Sequence, residues 1–195
     1  MSITRDLTIK EVTVEAVNDM LLQVVSPSPD DITGQILERC TQAVLMHNEV
    51  AQHGNKWKVP VGLSPFQIAY LVLQFHHVIL LDTKTSNGRR DHMALALYMK
   101  EGPEEGIYIT SRIGFSRMIR QYKSSIQRKE VSQIMNILRE EVPKMKLCTD
   151  DNLVAMNNGI YNKDTKELMP FTQDLVFLKK SHEDYNPNSD VKLCE

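Results

Sequence analysis

Eight glycines, at positions 34, 54, 62, 88, 102, 106, 114 and 159, are all that the 195 residues contain, with no two of them five apart and no two of them two apart. A phosphate-cradling loop needs the first spacing followed by Lys and Ser or Thr, because glycine lets successive backbone amides close on the phosphates; a dinucleotide fingerprint needs the second. Neither device of nucleotide binding is available. The cysteines are only three, Cys40, Cys148 and Cys194. Odd in number and far apart, they argue against a disulfide framework and for reduced thiols. No apolar run approaches the roughly 18 residues of a membrane span, and MSITRDLTIKEVTVE lacks the apolar centre of a signal peptide. The expectation is a cytoplasmic protein with no membrane partner.

Catalytic constellations are equally scarce. His76 and His77 are adjacent, and neighbours on a strand point to opposite faces, which suits one metal ion poorly. His47 and His53 have no cysteine at finger spacing. The acid pairs Asp30-Asp31, Glu140-Glu141 and Asp150-Asp151 diverge in direction and read as caps or solvated loops. Cys148 stands beside Lys144 and Lys146 with no nearby histidine to act as base. We expect no catalytic residue, no cofactor and no metal.

What is present is an ordinary soluble composition, 42% hydrophobic and 25% charged, with clear punctuation. Val14, Val17, Leu21, Val24 and Val25 fall at helical spacing up to Ser26-Pro27-Ser28-Pro29. Asp30 or Asp31 is expected to cap a second helix reaching about residue 52, before HGNKWKVPVG breaks it. Ser64-Pro65-Phe66-Gln67 is a capping serine, a proline at the first helical position and a glutamine three after the cap, so a helix over 65–75 follows. Short apolar runs at 78–82, 93–99 and 107–111, with a turn at Asn87-Gly88, predict a small antiparallel sheet. Two helices at about 113–124 and 130–142 come next. A C-terminal hairpin then pairs 154–162 with 167–171. The predicted class is α+β, mostly helical. The order helix, helix, hairpin also matches a winged-helix module, although QRKEVSQIMNILREEV is mixed in charge and offers few base-reading side chains.

Charge is unevenly placed. Arg112, Arg117, Arg120, Lys123, Arg128 and Lys129 share a window without an acid, so that it carries +6 within a chain of net charge -2. A helix through Phe115, Met118, Ile119 and Tyr122 buries those four on one face and puts Arg117, Arg120 and Lys123 together on the next. Solvated helices usually alternate sign. The six basic residues are therefore the candidate nucleic-acid contacts, made to phosphates without base specificity.

Residues 64–188 resemble the domain that precedes the superfamily 3 helicase in phage and plasmid primase-helicases, the family that includes the poxvirus primase-helicase. The likeness rests on Ala96-Leu97-Tyr98 with Gly106-Ile107-Tyr108, on Asn157-Asn158-Gly159-Ile160-Tyr161 with Leu168-Met169-Pro170-Phe171, and on Asp184-Tyr185-Asn186-Pro187-Asn188. It implies a role in replication, with DNA, a helicase motor in cis or in trans, and further copies of the chain as partners, and it carries over no catalytic residue. The domains expected are a helical region over 1–60, the helicase-preceding domain over 64–180, and a poorly ordered linker over 181–195. The competing expectations are a free-standing winged-helix regulator and a structural collar whose arginines pair with a neighbouring subunit.

Overall fold

The computed structural model describes residues 5–23, 27–52, 54–83 and 88–187; the expectations placed on Val24, Val25, Ser26, His53, Asn87, Asn188 and Cys194 lie outside the described residues. The fold is mixed α+β, about 43% helical, with small sheets. It divides into two compact units, Met1–Phe75 with Arg112–Leu138, and His76–Ser111 with Arg139–Glu195.

The first unit is helical. α1 (Arg5–Leu21) buries Ile9, Thr13, Ala16, Val17 and Met20, and α2 (Pro29–Val50) buries Ile32, Ile36, Cys40 and Val44, a strict four-residue repeat. α1 begins well before Val14, since Ile9 and Thr13 extend the buried stripe. The cap of α2 is Ser28, not Asp30 or Asp31: its extended backbone lets the hydroxyl accept from the Asp31 N–H at 3.2 Å, while the Asp31 carboxylate accepts from the Ser28 N–H at 3.3 Å. Capping needs a residue just outside the helix, and Asp31 is already its third residue. α3 (Pro65–Phe75) starts as expected. The Ser64 N–H donates to Gln67 Oε1 at 2.9 Å, and the other end of the Gln67 amide donates to Thr13 Oγ1 at 3.0 Å and to Cys40 Sγ at 3.6 Å. One buried glutamine thus caps α3 and ties it to α1 and α2, leaving its own polar atoms satisfied.

α4 (Arg112–Arg120) buries Phe115, Met118 and Ile119. It stops before Lys123 because the Gln121 and Tyr122 N–H groups bond to Met118 O and Ile119 O, three residues back rather than four, and this tightening ends the turn. α5 (Arg128–Glu141) follows, with Val131, Ile134 and Leu138 buried.

The second unit holds the strands. β1 (Val78–Asp82), β2 (Ala94–Tyr98), β3 (Tyr108–Ile109) and β4 (Lys144–Lys146) form a sheet in the order β3-β2-β1-β4. The first three pair antiparallel, as expected. β4 adds a parallel edge on which Leu80 faces Lys144 and Leu81 faces Met145. Ile79, Leu81, Ala96, Tyr98, Tyr108 and Val176 make one core over this sheet, with Met145 against it. Arg90, in a single 3-10 turn, donates to the carbonyls of Arg139, Glu140 and Val142 at 2.7 to 3.1 Å, which satisfies acceptors that the end of α5 leaves open.

The expected hairpin is a three-stranded meander, β5 (Leu153–Met156), β6 (Gly159–Asn162) and β7 (Glu167–Met169). Asn157-Asn158 break the expected long strand into two, with Met156 opposite Gly159 and Ile160 opposite Met169. The meander and α4 fall in different units, which gives a winged-helix reading no support. Within the expected linker, residues 181–185 lie against the meander. The Ser181 N–H donates to Ala155 O at 2.8 Å, the Asn157 N–H donates to Glu183 O at 3.0 Å, and Tyr185 stacks on Tyr161 at 4.3 Å between ring centroids. Polar composition conceals this docking, which uses backbone and side-chain hydrogen bonds and one ring rather than an apolar stripe.

Candidate nucleic-acid interface

On α4 the residues Ile113, Ser116, Arg117 and Arg120 recur at i, i+3, i+4 and i+7, the face opposite Phe115, Met118 and Ile119. Together with Arg112, Arg128 and Val131 they line a depression of about 420 Å³. Four guanidinium groups therefore surround one concavity. Arg112 opens α4 and Arg128 opens α5. Cations in the first turn of a helix gain nothing from the macrodipole, and local stability does not account for these two positions.

The arginines differ in how they are held. Arg112 Nη2 donates to Ser132 Oγ at 2.8 Å, and that hydroxyl donates to Arg128 O at 3.1 Å, which links the start of α4 to the first turn of α5. Arg120 Nη1 donates to Ser124 O at 3.3 Å. Arg117 and Arg128 make no side-chain hydrogen bond or ion pair with another described residue. Lys129 is exposed on α5 and does not line the depression.

Lys123 does not join Arg117 and Arg120. Its Nζ donates to Glu130 Oε1 at 2.6 Å and to Leu63 O at 3.2 Å, with the two charged side chains only 24% and 23% exposed. Glu130 also accepts the Gln127 N–H at the start of α5, at 3.0 Å. The Lys123 ammonium and this N–H hold the Glu130 carboxyl below the usual carboxylate range. Lys123 is a structural cation. The helix periodicity that put it on the basic face ends three residues too early.

A larger groove, about 870 Å³, is lined by Arg5, Lys10 and Lys58 among others. Two of its cations are engaged within it: Arg5 donates to Lys58 O at 3.1 and 3.2 Å, and Lys10 lies over the Phe66 ring at 4.5 Å. The arginine depression gathers more open positive charge, with Arg117 and Arg128 both without a partner among the described residues.

His76 and His77 belong to the second unit. His77 Nδ1 is 3.0 Å from the Tyr108 hydroxyl, which donates to Gln173 O at 2.6 Å, and its ring lies edge-on to Tyr108. Burial, with the nearby Lys100 charge, pushes His76 down to about 4. Among the described residues no three His, Cys, Asp or Glu side chains converge as metal ligands. Cys40 is buried and Cys148 half-buried, and burial pushes the Cys40 thiol up.

The motif residues meet one another. Tyr98 pairs with Tyr108 across β2 and β3, with ring centroids 5.2 Å apart. Gly106 has φ +83, and a Cβ there would run into the Phe171 ring. Asn157 Nδ2 donates to Asp184 Oδ1 at 2.8 Å; the Asn158 side chain donates to Tyr185 O at 3.0 Å and accepts the Tyr185 N–H at 2.9 Å. These motif pairs are joined within the second unit of a mixed α+β chain. The family model described as "D5 N terminal like" matches residues 71–195, nearly two thirds of the chain. The chain belongs to this family, the N-terminal domain of D5-like primase-helicase proteins of phages and poxviruses. No curated protein matches the chain. No helix among the described residues is long and apolar enough to cross a membrane.

Proposed function

We propose that this chain is a non-catalytic accessory domain of a phage or mobile-element replicative primase-helicase, which grips DNA phosphates without base specificity. Arg112, Arg117, Arg120 and Arg128 make the contacts, with Lys129 beside them and Lys123 holding the frame. One observation carries the reading: four guanidinium groups ring a single depression, and two of them lack any partner among the described residues. Phosphate oxygens suit that geometry, since guanidinium forks match them bidentately. The helicase motor, in cis or in trans, is the partner that family membership supports. The domain works in the cytoplasm and does no chemistry of its own.

The test is the salt dependence of DNA binding by Arg117→Ala/Arg120→Ala/Arg128→Ala. Each arginine on a phosphate releases about 0.7 counterion from a single strand, so the log-affinity versus log-salt slope should flatten by roughly 2 units, for every sequence alike. A folded triple variant with an unchanged slope would mean that these side chains serve a neighbouring subunit, as in a collar.

A further inference from the structure

We propose that the arginine depression is built for single-stranded DNA, with Ile113 as the seat for an unstacked base. This rests on the DNA-binding reading above and deepens it. The observation is the placement of one apolar side chain. Ile113 is 66% exposed, lies on the same face of α4 as Ser116, Arg117 and Arg120, and lines the depression with them. A surface that met only phosphates would gain nothing from it.

Duplex DNA keeps its base faces stacked inward and offers this surface phosphates and sugars alone. As a stiff rod it does not fold a base into a concavity of about 420 Å³. A single strand turns its bases outward, and a base face can leave water against an aliphatic side chain while its flanking phosphates meet cations. Arg117 and Arg128, with no internal partner, are able to lay their guanidinium planes on the other face of the base. The Ser116 hydroxyl supplies one donor and acceptor at the edge. Nothing in this set reads one base in preference to another, so the site is sequence-tolerant.

The experiment compares three ligands on the full chain: a short oligothymidylate, an abasic strand with the same number of phosphates, and a duplex of the same length. Oligothymidylate should bind about fivefold to tenfold tighter than the abasic strand, a step at the lower end of the usual stacking range. Ile113→Ser should bring that ratio close to one, and Ile113→Trp, which places an aromatic plane at the same spot, should raise it. Thermal melts establish that both variants fold, as expected for an exposed position. Equal affinity for thymidylate and abasic strands, or a ratio untouched by both substitutions, overturns the base seat while leaving the phosphate reading standing. Salt-insensitive binding, or none, overturns both.

Discussion

Asn158 and Arg117 are both polar side chains at the surface, and their surroundings are opposite. Asn158 has its amide oxygen and nitrogen bonded to the backbone of Tyr185, in a turn whose neighbour Asn157 holds Asp184. Arg117 donates to no described residue and faces a depression shared with three more guanidinium groups. The same contrast separates two regions, the meander of the second unit and the exposed face of α4 in the first. The motif residues of the second unit are joined to one another and record how the domain is built. A residue that acts on a ligand must keep hydrogen-bonding capacity open, and the arginines do. Substitutions should therefore damage stability in one region and binding in the other.

The harshest break is Gly106→Ala. A side chain there meets both a left-handed backbone and the Phe171 ring, and the two together should cost roughly 4 kcal/mol in urea denaturation, a large fraction of a domain's stability. Asn158→Ala comes next. Losing both bonds to Tyr185 should lower stability by about 2 kcal/mol and raise protease sensitivity near residue 185.

Acid should act on the second unit as well. His76 stays neutral in the fold down to about pH 4, whereas the unfolded chain takes up that proton near pH 6.5, so the unfolded state binds more protons between those values. Stability therefore falls as pH drops from about 6.5 toward 4, and His76 accounts for on the order of 1 to 2 kcal/mol of it once its partial exposure is allowed for. The unfolding free energy of His76→Gln, followed over that range, should be less steep by that amount.

Lys123→Ala sharpens the division inside the basic cluster itself. It should cost about 1 kcal/mol of stability through the lost Glu130 and Leu63 contacts, and leave the salt slope of DNA binding as it was. The smallest effect on stability belongs to Arg117→Ala and Arg128→Ala, each within about 0.5 kcal/mol of the parent, although these are the changes expected to weaken binding most. A substantial loss of stability in either would mean that these arginines belong with the meander residues, as parts of the frame.

Much of this was legible before the fold was known. The start of α3 could be read because Ser64, Pro65 and Gln67 each have a local role, and β1 and β2 because their apolar runs are bounded by turns. β4 was missed. Lys144-Met145-Lys146 has no strand-like pattern, and it becomes a strand only by parallel pairing with a segment more than sixty residues away. The division at Asn157-Asn158 was missed because the side chains stabilising that turn bond to residues 184 and 185, a partner no local window contains. For the proposed site, the periodicity of α4 places Arg117 and Arg120 on one face and the count of charges singles out Arg112 and Arg128, and the four line one depression. Lys123 falls outside this periodicity because α4 tightens and ends at Arg120. Ile113, a lone apolar residue among arginines, carries no local signal; only the face it shares gives it meaning.

The strap over residues 181–185 also sets how the domain bears load. It lies along the β5–β6 turn through Ser181 to Ala155, Glu183 to Asn157 and Tyr185 to Asn158. Tension applied to the chain beyond Pro187 reaches these bonds before it reaches any strand of the meander. The Tyr185 contacts, nearer to Pro187 along the chain, would take such a load before the Ser181 bond does.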